Sequence, residues 1–191
     1  MTPTVRLANA SLLPGRPGPE AGFAAPYEML GACHDKVQRM LDLLERLQAH
    51  LQEHGPDSQA AQAARDVMRY FDLAAPLHHE DEELHVFPAL AASPDAGVRQ
   101  AIATLRDDHR RMAERWARAR LVLLAWRDDP APPALDEPAR ALLKAFGDGY
   151  DAHIALEEGL VYPAAQATFD ETGLARIGAE MQGRRRAPRP R

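Results

Sequence analysis

The sequence predicts an all-α protein, an up-down-up-down four-helix bundle built from two repeated helical hairpins. Three observations predict it. Alanine and leucine dominate while aromatics make up 6% of the 191 residues. Ala and Leu are strong helix formers, and the β-branched residues that favour sheets are few. Four long stretches carry apolar residues at alternating steps of three and four, the period of one helix face. Finally, the second half of the chain repeats the first.

Residues 1–25 contain Pro3, Pro14, Pro17 and Pro19 and read as an irregular arm. The bundle domain is expected over residues 26–168. Its first helix runs from about Pro26 to Glu53 and stops at Gly55-Pro56. Its stripe is Leu30, His34, Val37, Leu41, Leu44 and Leu51. The second helix starts at Asp57 or Ser58, both good caps, and reaches about Ala91. Pro76 inside it should remove one backbone bond and bend the helix. The third starts at Ser93-Pro94, presents Ile102, Leu105, His109, Met112, Trp116, Ala119, Leu123 and Trp126, and ends at Asp128-Asp129-Pro130. The fourth spans about Asp136 to Gln166, with Leu142, Phe146, Gly149, His153, Leu156 and Leu160 inward. Such helices are roughly 40–50 Å long, and short loops between them make antiparallel neighbours. Residues 169–191 read as a short helix near 170–181 and a solvated basic tail, with five arginines in the last eight residues.

The repeat has an offset of 75 residues, which carries His34 onto His109, His78 onto His153 and Glu82 onto Glu157. HHEDEELHVFPAL at 78–90 aligns with HIALEEGLVYPAA at 153–165. Both read His-x-x-x-Glu-Glu, two residues, then Val, an aromatic and Pro. Helix 2 also offers the overlapping pair His79/Glu83, but the counterpart of His79 is Ile154, so the repeat selects His78 and Glu82. Residue counts from each turn bring all four histidines to nearly one depth, about 30 Å from the first turn.

Residues at i and i+4 share a helix face. Four imidazoles and two carboxylates in an apolar core cost several kcal/mol unless paired or metal-bound. The six residues His34, His78, Glu82, His109, His153 and Glu157 therefore read as metal ligands. Mixed nitrogen and oxygen donors around two metals in a helical bundle suit iron, with manganese second.

At these residues the chain resembles the hemerythrin and His-His-Glu cation-binding domain superfamily, over about residues 26–166. The resemblance implies two iron ions, with manganese or zinc as substitutes, and a bridging oxo or hydroxo group. Carried over residue by residue, it makes His34 and His109 the single ligands of helices 1 and 3. His78 with Glu82 and His153 with Glu157 become the paired ligands, Glu82 and Glu157 bridging. One departure matters. Oxygen-carrying hemerythrins place His-x-x-x-His on helix 3, whereas Leu105 and Ala113 flank His109 here. The site looks more open, closer to bacterial domains linked to oxygen, nitric oxide or iron handling.

Other residues are weighed beside these. Cys33 and Asp108 each precede a ligand histidine and could orient or shield it; the alternative is a helix flank without a role. His79 lies near the bundle seam or, as its position favours, on the surface. Glu83 and Glu158 read as surface or helix-facing groups, and His50, His54 and His85 as solvated helix residues. Tyr150, one turn before His153, is a candidate donor to a bound small ligand, with core packing the favoured alternative.

A formal charge of −5 points to neither nucleic acid nor membrane. One cysteine excludes an internal disulfide and fits a cytoplasmic, reducing location. Three functions are compatible with these residues: a protein that binds or senses oxygen or nitric oxide, an enzyme reducing nitric oxide or peroxide, and an iron store or donor. No protein partner can be read from the residues.

Overall fold

The computed structural model describes residues 22–129 and 131–186. The expected N-terminal arm lies outside these residues except for its last four positions, and so do residues 187–191 of the basic tail. The described residues form five helices and no strand. Helix α1 is Pro26–His54. Helix α2 covers residues 58–89, α3 is Ala96–Asp128, α4 covers residues 137–166, and α5 is Glu171–Arg186. Helices α1 and α2, α2 and α3, α3 and α4, and α4 and α1 pack on one another, closing a helical bundle. Among the described residues, no helix is long and apolar enough to cross a membrane.

Aspartates set the helix starts. Asp57, Asp95 and Asp136 each accept a hydrogen bond from a first-turn amide, of Ala60, Gly97 and Ala139. Each cap satisfies a donor that the helix itself leaves orphaned. Helix α3 thus begins two residues later than the Ser93-Pro94 signal, because Asp95 takes the capping role. Gly55 ends α1 at φ 77°, a conformation that a Cβ would strain.

Helical periodicity alone misses the internal detail of α2 and α4. Each contains π turns, at Tyr70–Ala74 and Glu82–Val86 in α2 and at Glu157–Val161 in α4. Two residues after each π turn stands a proline: Pro76, Pro88 and Pro163. Proline has no N–H and its ring crowds the preceding turn. Widening that turn by one residue relieves the crowding, so the expected disturbance at Pro76 takes the form of a π turn. Two of the three begin at Glu82 and Glu157.

The interior has three layers. One apolar cluster surrounds Leu43, Leu47, Met68, Phe71, Leu123 and Phe146. The other holds Leu30, Val86, Phe87, Leu105, Val161 and Met181. Between them His34, His78, Asp81, Glu82, His109, His153 and Glu157 are buried.

Helix α5 runs past the expected 170–181 and takes in three arginines of the expected tail. Two contacts account for this. Ile177 and Met181 enter the second cluster, and Gly178 lies so close to Phe23 that a Cβ there would sit 1.8 Å from its carbonyl oxygen. Arg184 and Arg185 then bind the fully buried carboxylate of Asp81, Arg185 Nη2 at 2.6 Å.

Candidate metal centre

The i, i+4 spacing at the start of the π turns directs His78 and Glu82 of α2, and His153 and Glu157 of α4, toward the polar layer. His34 of α1 and His109 of α3 reach it from the other two helices. All six sequence-selected residues meet there, as two groups of donor atoms. His34, His78, Glu82 and Glu157 form one, and His109, His153, Glu82 and Glu157 the other; within each, the donors lie within 4.8 Å of one another. The two carboxylates belong to both groups.

Distances are short throughout. His34 Nε2 lies 3.1 Å from both His78 Nε2 and Glu157 Oε2. His153 Nε2 is 3.0 Å from Glu157 Oε1, and His109 Nε2 is 3.4 Å from Glu82 Oε2. Both carboxylates are fully buried. Yet Glu82 Oε2, both oxygens of Glu157, and the Nε2 atoms of His109 and His153 have no hydrogen-bond partner. Buried acceptors without donors cost free energy unless a cation satisfies them. The donor set fits divalent metals.

Electrostatics give the same message. Burial, and then the charge of Glu157, push Glu82 up to about 7. Burial raises Glu157 too, but the close imidazoles of His109, His153 and His34 outweigh it and hold that carboxyl well below its usual range. Burial pulls His109 down, but Glu157, Glu82 and Glu83 raise it to about 10. Burial and neighbouring imidazoles drop His78 to about 3. Glu82 and His109 are thus groups of the layer from which a bound cation would displace protons, whereas His78 and Glu157 would offer theirs already bare.

Three functional residues escape a reading of the sequence alone. Glu158 Oε1 accepts from His34 Nδ1 at 2.8 Å, and Glu83 Oε1 from His109 Nδ1 at 3.0 Å. Each fixes its histidine with Nε2 facing the centre, the usual carboxylate–histidine–metal arrangement. These acids are thus not idle surface groups. The signal is present in the repeat, which superimposes Glu83 on Glu158. The third is Tyr162, whose hydroxyl donates to Glu82 Oε1 and lies 3.2 Å from His34 Nε2. Its counterpart is Phe87, and both rings stack on a single ligand histidine, Tyr162 on His34 and Phe87 on His109.

Tyr150 takes the favoured of its two readings: it is core, its ring against Phe71 and Phe146. Other expectations change. His79 is not on the surface: it stacks on His109. Asp108 approaches His153 Nδ1 only to 3.7 Å, while the Cys33 carbonyl accepts from the Tyr70 hydroxyl. His50 and His85 pair with Asp57 and Glu180 instead of facing solvent freely.

A family model described as the hemerythrin HHE cation binding domain matches residues 25–165. A protein of Haemophilus influenzae described as uncharacterized is 33% identical over 166 residues, covering 86% of this chain and 92% of the relative.

Proposed function

The chain belongs to the hemerythrin HHE cation-binding domain family, and we propose that it holds two iron ions in the polar layer and binds or senses a small diatomic ligand, oxygen or nitric oxide. The observation carrying this reading is that Glu82 and Glu157 are shared by two donor groups while keeping buried oxygens without donors. His34 and His78 would hold one ion and His109 and His153 the other, with Glu82 and Glu157 bridging. Iron, when bound, supplies Lewis-acid and redox chemistry.

The chain's own residues supply the rest. Glu158 and Glu83 keep the imidazoles of His34 and His109 aimed inward. The two apolar clusters above and below exclude bulk water and strengthen every electrostatic contact between them. Tyr162 donates its Oη proton to Glu82 Oε1 beside His34; if Glu82 turned to a bound metal, that proton would become free for a small polar guest. That buried proton also supports the second reading, an enzyme reducing nitric oxide or peroxide. Iron storage or donation is a third role compatible with six protein ligands.

The test is anaerobic purification, metal analysis, and spectra before and after oxygen and nitric oxide. Reversible spectral change supports binding. Turnover with a reductant supports the enzyme, and ready loss of iron to a chelator supports donation. Unchanged metal content in the double variant Glu82→Ala/Glu157→Ala would sink the metal centre itself.

A further inference from the structure

The 75-residue repeat breaks beside the centre at His79, which stands where the second hairpin has Ile154. Ile154 packs against an apolar cluster. His79 turns its ring onto the centre. It lies over His109, with 4.0 Å between ring centroids and 12° between planes, and edge-on to His153 at 6.1 Å. Its donor atom falls within 4.8 Å of those of His109 and His153, a third metal-competent group. Among the described residues, neither nitrogen of His79 forms a hydrogen bond. Helix α2 thus presents two adjacent imidazoles to opposite sides of one centre.

We infer that His79 is a third, exchangeable nitrogen donor for the cation held by His109 and His153. This rests on the reading that the cluster binds two metals. Two parallel imidazoles cannot both direct an in-plane lone pair at one ion. Donation therefore requires the His79 ring to rotate out of its stack, and no hydrogen bond opposes that rotation. Stacked, it leaves the position to an external ligand; rotated, it fills the position itself. The two metal positions are then unequal, one with three imidazoles and the other with two imidazoles beside the Tyr162 hydroxyl.

The experiment loads the full chain and its His79→Ile variant, which copies the repeat, with iron-57. Mössbauer spectra, iron release to a chelator and azide affinity of the oxidised form are then compared. The expected result is a change in the signal of one iron only and release of that iron about tenfold faster. Azide should bind severalfold tighter, since its competitor is gone. In His79→Gly, added imidazole should restore the original spectrum, which a merely packing role would not allow. Identical spectra, release rates and azide affinities in wild type and His79→Ile would overturn the inference while leaving the metal centre intact. Wild type that takes up no iron would overturn both.

Discussion

The two hairpins supply matching sets of donors and differ at several positions placed around them. Residues 26–89 contribute Cys33, His79, Asp81 and Phe87. Residues 96–166 contribute Asp108, Ile154, Leu156 and Tyr162 at the matching positions. Within the repeat, His34 and Glu158 correspond to His109 and Glu83, so each single histidine is oriented by a symmetry-related acid. The common part builds a symmetric donor cage, and the differences give its two ends distinct chemistry. The donors facing the polar layer match between the hairpins, while the side chains packed around them differ in size and charge.

The symmetric part should be the most fragile. Replacing both Glu82 and Glu157 by alanine removes the donors common to the two groups. Metal affinity should fall by more than about 100-fold, beyond the range for outer hydrogen-bond partners, measured as metal per chain after dialysis.

Asp81 tests the asymmetric surroundings. Its counterpart is Leu156, and its carboxylate pairs with Arg184 and Arg185 of α5. The double variant Arg184→Ala/Arg185→Ala leaves a buried carboxylate without cations and should cost on the order of 3 kcal/mol in urea unfolding. Asp81→Leu, which copies the second hairpin, should cost less, because it removes the buried charge together with its need for partners. Equal losses would show that a stranded Asp81 charge is not what makes the double variant costly.

Glu83→Gln and Glu158→Gln probe the orientation of the single histidines. Each should weaken metal binding by about tenfold, the low end for such partners, because both carboxylates are partly exposed. Similar losses in the two variants would uphold the exchange symmetry; a loss in one alone would break it.

Tyr162→Phe makes the two halves alike at that position. Metal content should be unchanged, while affinity for the external ligand falls by roughly tenfold, the worth of one buried hydrogen bond. Proton release is the last and smallest effect. His109 at about 10 and Glu82 at about 7 carry protons that a cation must displace. Metal affinity should therefore rise with pH from about 6 to 9. Calorimetry in buffers of different ionisation enthalpy should show protons released on binding, and a pH-independent affinity would contradict the assigned charges.

The six central residues are legible in the sequence because helical periodicity and an exact repeat are local, additive signals. His78 is separable from His79 only through its repeat partner. The same logic, applied to the second acids, flags Glu83 and Glu158; they read as surface because they stand one position off the inward stripe. The π turns explain part of this, since an inserted residue rotates every later side chain about the helix axis, which no ideal 3.6-residue wheel represents.

By itself the sequence determined the helices, their caps near Asp57 and Asp136, and the donors facing one layer, because each depends on residues within a few turns along one chain segment. Only the tertiary structure decided which carboxylate orients which histidine and that Tyr162, not Tyr150, reaches the centre. It likewise decided that α5 docks through Gly178 against Phe23 and its arginines onto Asp81. These contacts join residues far apart in the chain, where side-chain length, ring stacking and close packing choose among partners that spacing leaves equivalent.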